Sequence, residues 1–179
     1  MTLYLTRHGE TEWNAQNKVC GITDVDLTDK GRAQARELGE KLRDYKIDLI
    51  VSSPLKRALE TARMVEGGRG VPIEVDRRLI EQDYGIYEGV DRGDQGFLDN
   101  KRCFAFRYPG GESMMDVAHR TYGLIEELGE RYPEGNVLLV CHGGVCRVIN
   151  TYFRDMTNEE FFRYSMGNCM LEEYELKCR

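Results

Sequence analysis

Two stretches of this chain place a histidine and a glycine directly after an apolar run. Residues 3–6 lead into Arg7-His8-Gly9, and residues 137–141 lead into His142-Gly143-Gly144. Both runs favour strands, and ligands of an open α/β sheet bind at the carboxyl ends of the strands. An imidazole placed there can act as a nucleophile or a proton carrier near neutral pH, and Arg7 adds a permanent cation beside it.

Arg57 is a further residue whose position suits anion chemistry. Residues 47–52 predict a short strand, and Ser53 and Pro54 are expected to be the N-cap and first residue of the next helix. Arg57 would then lie in the first turn, where free N–H groups and the helix dipole favour anions. Because parallel strands present their carboxyl ends on one side of a sheet, these arginines and histidines can converge on a phosphoryl group.

The elements that would position these side chains alternate between strand and helix. Apolar periodicity predicts helices from Thr28 to near Lys46 and from Ser113 to Tyr132, with Ser113 opening a capping box. Residues 145–153 and 158–164 are also expected to be helical. Residues 72–75 and 170–176 predict strands, the last at an edge, and the unbroken apolar run at 137–141 predicts a central buried strand. This order indicates an α/β fold with a mainly parallel sheet flanked by helices.

Residues 90–109 show no clear periodicity. Glycine, arginine, aspartate and aromatic residues mix freely there. Irregular insertions of this length in a compact domain are usually functional or mobile. We therefore expect an irregular, substrate-covering cap at about residues 90–109.

Composition restricts the class of protein. The 179 residues suffice for one domain, and the net charge of −6 argues against nucleic acid or an anionic membrane as a partner. With no signal-peptide pattern and no apolar run of membrane-spanning length, we expect a cytoplasmic protein. The cysteines show no zinc spacing, so we expect free thiols in a reducing compartment and no metal site, with a structural disulfide as the alternative. They are Cys20, Cys103, Cys141, Cys146, Cys169 and Cys178.

Six blocks of the chain resemble, in family order, the signature of the histidine phosphatase superfamily, the phosphoglycerate mutase-like proteins. They are residues 5–14, 27–31, 52–62, 81–89, 109–113 and 140–144. The resemblance covers nearly the whole chain. It implies a three-layer α/β/α sandwich with a mainly parallel central sheet, formed as a single domain over residues 1–179 with a short cap insertion.

The resemblance also implies roles for individual residues. His8 would be the nucleophile that forms a phosphohistidine, and Glu81 would donate a proton to the leaving-group oxygen. Both roles suit the chemistry of the side chains. The phosphoryl oxygens would be surrounded by Arg7, Arg57 and His142, with Asn14, Gly143 and Gly21 as further substrate-binding positions. The resemblance implies no metal and no other cofactor.

The position after the second His-Gly bears on the reaction. Glycolytic mutases of the family have longer chains, basic residues in the insertion and an asparagine where this chain has Gly144, so we expect a metal-independent phosphatase. Four basic residues of the insertion keep mutase-type transfer open, since they could grip a second phosphate or carboxylate; they are Arg92, Lys101, Arg102 and Arg107. A phosphate sensor without turnover is a second alternative. The expected partner is a small phosphorylated metabolite, and the glutamate-rich edge strand leaves a homo-oligomer open.

Overall fold

A five-stranded sheet with helices on both faces forms the framework of the molecule. The computed structural model describes residues 1–176. The strands are β1 (Thr2–Arg7), β2 (Leu49–Ser52), β3 (Ile73–Val75), β4 (Asn136–Cys141) and β5 (Leu171–Glu175). The helices are α1 (Glu12–Ala15), α2 (Asp29–Lys41), α3 (Lys56–Glu66), α4 (Gln95–Lys101), α5 (Met114–Arg131), α6 (Gly143–Phe153) and α7 (Asn158–Arg163).

The strand order of the sheet is β3-β2-β4-β1-β5. Strand β4 pairs in parallel with β1 and with β2, β3 is parallel to β2, and β5 is antiparallel to β1 at the edge. The predicted mainly parallel sheet and final edge strand are therefore confirmed. The register sets Arg7 opposite Cys141 and Ser52 opposite Val140, so three strands end side by side at one edge of the sheet.

The core lies on both faces of β4. Leu138 and Val140 pack with residues of α2 and α3, whereas Leu139 and Cys141 pack with residues of α5 and α6. Successive side chains of a strand point to opposite faces, and a strand that is covered on both faces reads as a continuous apolar run. The predicted three-layer α/β/α arrangement is confirmed.

Two predicted helix boundaries are wrong. Helix α2 ends at Lys41 and not near Lys46, and Tyr45 lies beyond it with its ring 5.5 Å from that of Tyr4 in β1. This contact with the sheet explains why Tyr45 continues the apolar series without being helical. Helix α3 begins at Lys56, so its N-cap is Leu55 and not Ser53. The Ser53 hydroxyl lies before the helix, where it accepts from the N–H of Leu55 and bonds to His142. The capping box at Ser113, in contrast, is formed as predicted.

The segment at residues 90–109 contains regular structure that the sequence pattern did not predict. Helix α4 lies within it and starts behind Asp94, whose carboxylate accepts from the N–H of Phe97. The Phe97 ring packs against those of Tyr84 and Tyr108, at centroid distances of 5.5 and 5.7 Å. This aromatic cluster fastens the segment to the rest of the fold, so the prediction of an irregular segment is wrong over Gln95–Lys101.

Other features of the described residues bear on the class of protein. Cys20, Cys103, Cys141, Cys146 and Cys169 are free thiols, while Cys178 lies outside the described residues. Within residues 1–176, none of the helices combines the length and the hydrophobicity that a membrane span needs. The same residues include no group of three or more side chains arranged to hold a metal ion.

Candidate active site

The ends of β1, β4 and β2 bring two histidines and a serine together. The backbone N–H of His8 donates to the Cys141 carbonyl at 3.0 Å, and that of Ser53 donates to the Val140 carbonyl at 3.0 Å. The ring centroids of His8 and His142 are 5.1 Å apart. Residues more than a hundred positions apart in the chain therefore meet because β4 is inserted between β1 and β2.

A close backbone contact holds the turn that carries His8. An added Cβ at Gly9 would lie 2.3 Å from the Gly31 carbonyl oxygen, and one at Gly31 would lie 2.1 Å from the Glu10 carbonyl oxygen. Real side chains do not tolerate such distances, so both positions need glycine. The first turn of α2 is thereby packed directly on the turn after β1.

His8 is a neutral imidazole with one ring nitrogen free. Its Nδ1–H donates to the Gly9 carbonyl at 2.7 Å, and this bond assigns the tautomer in which Nε2 keeps its lone pair. The ring is only 3% exposed. Burial, together with the positive charges of Arg57 and Arg7, holds the pKa of His8 well below its ordinary value. The imidazole is therefore unprotonated at neutral pH and can attack an electrophile.

His142 lies behind His8 with both ring nitrogens engaged. Its Nδ1 accepts from Nε of Arg57 at 3.2 Å, which leaves Nε2–H to donate to the Ser53 hydroxyl at 2.7 Å. Burial and the neighbouring Arg57 and His8 hold the pKa of His142 well below its ordinary value. The residue is thus a neutral, fully buried neighbour of His8.

Arg57 is also fully buried, and its guanidinium is bonded within the protein. Besides His142, it donates to the carbonyls of Thr23 at 2.8 Å and Gly21 at 2.6 Å. The N–H of Gly21 donates to the Glu88 carboxylate at 3.1 Å. Both backbone polar groups of Gly21 are therefore hydrogen-bonded within the protein. Gly21 binds Arg57 and does not line the open pocket. Arg57 and His142 likewise approach His8 without lining that pocket.

Glu81 is held at the N-terminus of α6. Its carboxylate accepts from the N–H groups of Gly144 at 3.0 Å, Val145 at 3.2 Å and Gln82 at 2.8 Å. An added Cβ at Gly144 would lie 2.7 Å from Oε1 of Glu81 and 2.9 Å from the Tyr84 hydroxyl. The glycine therefore lets the carboxylate reach the helix backbone and holds it at the pocket wall, which it lines together with His8.

Arg7 and Asn14 offer hydrogen-bond donors at the pocket. Nη1 of Arg7 donates to the Met166 carbonyl at 3.0 Å, while the buried Nε of Arg7 has no hydrogen-bond partner among residues 1–176. Oδ1 of Asn14 accepts from the Thr11 N–H and from Asn168, and none of the described residues accepts from its Nδ2. Gly143 also lines the pocket. These groups can receive the oxygens of an anion.

The pocket has a volume of about 270 Å³ and a markedly cationic lining. Sequence reasoning missed Arg147 and Arg163; Arg147 follows Gly143 by four residues and so shares its helix face, which was the available signal. Of the basic residues noted in the insertion, Arg92 and Lys101 line the pocket. Arg107 instead pairs with Asp116 at 2.8 Å, and the exposed Arg102 lies 4.0 Å from Asp99.

Comparison with known proteins places the chain in a family. The sequence pattern of the histidine phosphatase superfamily (branch 1) matches residues 3–178. The chain is 38% identical over 147 residues to the uncharacterized phosphatase PhoE of Bacillus subtilis, covering 82% of this chain and 74% of that protein. It is 36% identical over 151 residues to the probable phosphoglycerate mutase GpmB of Salmonella choleraesuis, covering 80% and 70% respectively.

Solved structures give the same assignment. YhfR of Bacillus stearothermophilus superposes with a TM-score of 0.87 at 34% identity, over 98% of this chain and 91% of that one. A mycobacterial glucosyl-3-phosphoglycerate phosphatase in complex with VO3 gives a TM-score of 0.86 at 30% identity, over 96% and 91%. Relatives of both phosphatase and mutase name make this an enzyme of the phosphatase or mutase type. The chain belongs to the histidine phosphatase superfamily, branch 1.

Proposed function

We propose that this chain hydrolyses a small phosphomonoester through a phosphohistidine on His8, without a metal ion. The observation that carries the proposal is the hydrogen bond from Nδ1 of His8 to the Gly9 carbonyl, which leaves an unprotonated Nε2 in a cationic pocket. A neutral imidazole supplies the nucleophile. Arg7 and the other cations supply the charge stabilisation that phosphoryl transfer requires.

In the first step, Nε2 of His8 forms a bond to phosphorus as the bond to the leaving oxygen breaks. Glu81 enters this step in its protonated form, which the second step regenerates, and gives its proton to that oxygen, so an alcohol departs instead of an alkoxide. The imidazole gains positive charge when it is phosphorylated. The Gly9 carbonyl accepts the Nδ1–H throughout and so stabilises this charge.

In the second step, water attacks the phosphohistidine. The Glu81 carboxylate takes one proton of the water, the phosphorus–nitrogen bond breaks, and the electron pair returns to Nε2 of His8. Arg7, Asn14 and the Gly143 backbone are proposed to contact the transferred oxygens. Arg57 and His142 are proposed to act from beside His8, where the positive charge of Arg57 and the hydrogen bond between Arg57 and the neutral His142 support the transition state.

Gly144 supports hydrolysis over transfer to a second alcohol. An asparagine at this position would bring a side chain onto the Glu81 carboxylate, where even a Cβ has no room. A relative named as a phosphatase and a similar structure named as a glucosyl-3-phosphoglycerate phosphatase agree with this choice, whereas the relatives named GpmB keep the mutase as the competing function. A small phosphorylated metabolite remains the proposed partner, and a cytoplasmic location remains a proposal.

The test is phosphate release from a panel of small phosphomonoesters, with p-nitrophenyl phosphate and glycerol 3-phosphate included. His8→Ala should abolish release, and His119→Ala is the matched control, since His119 is exposed on α5. Acid-labile, alkali-stable label from a ³²P substrate should appear in the wild type and in the control. Activity should persist in chelator.

Each other outcome opposes the proposal. Full activity of His8→Ala would show that His8 is not the nucleophile. Transfer of phosphate between positions of phosphoglycerate without release would favour the mutase. Stable phosphate binding without turnover would favour a sensor.

A further inference from the structure

The loop between α7 and β5 (residues 164–170) is fastened to the end of β1. The N–H of Cys169 donates to the Arg7 carbonyl at 2.9 Å, and the Thr6 hydroxyl donates to the Met170 carbonyl at 2.7 Å. Cys169 has a φ of 54°, in the left-handed region that favours glycine. A residue with a side chain keeps such a conformation only where its surroundings impose it, so the contacts with β1 outweigh a conformational cost.

Asn168 lies in this loop, and its side chain joins two segments of the active site. Its Nδ2 donates to the backbone carbonyl of His8 at 2.8 Å and to Oδ1 of Asn14 at 3.2 Å. Asn168 follows these residues by 160 and 154 positions, and it lies outside the six blocks that carry the family resemblance. Only the docking of the loop on β1 brings its amide to them.

Backbone groups set the orientation of both amides. The Thr11 N–H can only donate, so the Asn14 atom that faces it at 3.3 Å is Oδ1. The His8 carbonyl can only accept, so the Asn168 atom that faces it is Nδ2. Because Oδ1 of Asn14 already accepts two hydrogen bonds, Asn14 offers its Nδ2–H groups to an anion in the pocket that it lines.

The Asn168 amide thereby couples the backbone of His8 to the side chain of Asn14. A small displacement of a group that contacts the reacting atoms can cost a large factor in rate. Asn168 does not itself line the pocket, so any effect it has on the reaction passes through these two neighbours.

We propose that Asn168 is a positioning residue, whose amide holds the Asn14 side chain in place relative to His8. Asn14 then donates its Nδ2–H to an oxygen of the phosphoryl group as Nε2 of His8 attacks. This inference rests on the proposed function, because it assigns the support of a phosphoryl contact in the reaction on His8.

A double-mutant cycle tests the proposal. It compares kcat/KM for p-nitrophenyl phosphate, and the Ki of orthovanadate, in the wild type, Asn168→Ala, Asn14→Ala and the double variant. Loss of the two amide hydrogen bonds should lower kcat/KM of Asn168→Ala about tenfold and raise its Ki for vanadate by a similar factor. In the Asn14→Ala background the same substitution should cost at most about threefold, since only the bond to the His8 carbonyl is then left to lose.

Asn158→Ala is the matched control, because Asn158 is an exposed asparagine at the start of α7. It should keep wild-type kcat/KM and Ki. Unchanged kcat/KM in Asn168→Ala would overturn the inference. A loss in the Asn14→Ala background as large as in the wild type would also overturn it, because a purely structural role does not depend on Asn14.

Two further outcomes are covered. If Asn168→Ala does not fold, a crystal structure of the wild type with vanadate decides: Nδ2 of Asn14 bonded to a vanadate oxygen, with Oδ1 still bonded to Asn168, supports the proposal, and an Asn14 side chain turned away from vanadate overturns it. If the wild type hydrolyses no phosphomonoester, the proposed function fails. Calorimetric Kd values for inorganic phosphate in the same four proteins then decide the role of Asn168 by the same comparison.

Discussion

Replacing Gly144 by alanine tests whether this glycine holds the proposed proton donor in place. The new Cβ would lie 2.7 Å from Oε1 of Glu81 and 2.9 Å from the Tyr84 hydroxyl. The carboxylate must then move away from the N–H groups of Gly144 and Val145, to which it is bonded at 3.0 and 3.2 Å. The substitution therefore combines overpacking with the loss of hydrogen bonds to a charged group.

The magnitude follows from these contacts. Overpacking costs about 1–3 kcal/mol, and each hydrogen bond to a charged group contributes about 1.5–3 kcal/mol, against a gain of up to about 1 kcal/mol in helix propensity. The matched control is Gly123→Ala in α5, where an added Cβ meets nothing within 4 Å. The propensity gain is common to both variants, so overpacking and the loss of at least one of the two hydrogen bonds should make Gly144→Ala at least about 2.5 kcal/mol less stable than Gly123→Ala in denaturant unfolding.

The effect on activity should depend on the leaving group. A displaced general acid costs about 10²-fold or more in rate when the leaving alkoxide is basic. A nitrophenolate needs little protonation. Gly144→Ala should therefore lose much more kcat/KM on glycerol 3-phosphate than on p-nitrophenyl phosphate, while Gly123→Ala keeps both. Equal losses on the two substrates, or wild-type stability of Gly144→Ala, would refute this account of Glu81.

Three further predictions concern pH and the contacts behind His8. The pKa values of His8 and His142 are lowered in the folded protein, so the unfolded state binds more protons below about pH 6.5. The free energy of unfolding should therefore fall as pH decreases below this value, by up to about 1.4 kcal/mol per pH unit for each histidine. Denaturant unfolding at pH 7.5 and 5.5 measures this, and His119→Ala should keep the slope; a pH-independent stability would contradict the assignment. Since Lys101 lines the pocket near Arg92 and Arg147 and has a pKa of about 8, kcat/KM for an anionic phosphomonoester should decline as pH rises through about 8, and Lys101→Met should abolish that decline. Ser53→Ala removes the acceptor of the His142 Nε2–H and should cost about 1–3 kcal/mol of stability and lower kcat, whereas unchanged values would show that this hydrogen bond has no role.

Local sequence patterns predicted the elements well where local chemistry decides them. The Ser113 capping box depends on side chains three positions apart, and the apolar run of β4 reflects burial on both faces, so both could be recognised from the sequence. The end of α2 could not be recognised from the sequence, because Tyr45 continues the apolar series but lies beyond the helix and contacts the ring of Tyr4. Helix α4 was missed because its Phe97 packs within an aromatic cluster that brings together residues from separate parts of the chain.

The sequence by itself determined which reactive and anion-binding side chains are present and where they lie locally. Two histidines follow strands, Arg7 and Arg57 lie at positions that suit a bound phosphate, and Gly144 lies at the start of a helix. Only the tertiary structure decided their arrangement. Strand β4 lies between β1 and β2, which sets His142 beside His8 and gives Arg57 a ring nitrogen to bind. The same packing brings Arg147 to the pocket with Arg92 and Lys101. The physical reason is that local spacing determines which face of an element a side chain occupies, whereas strand order and helix docking determine what that face meets.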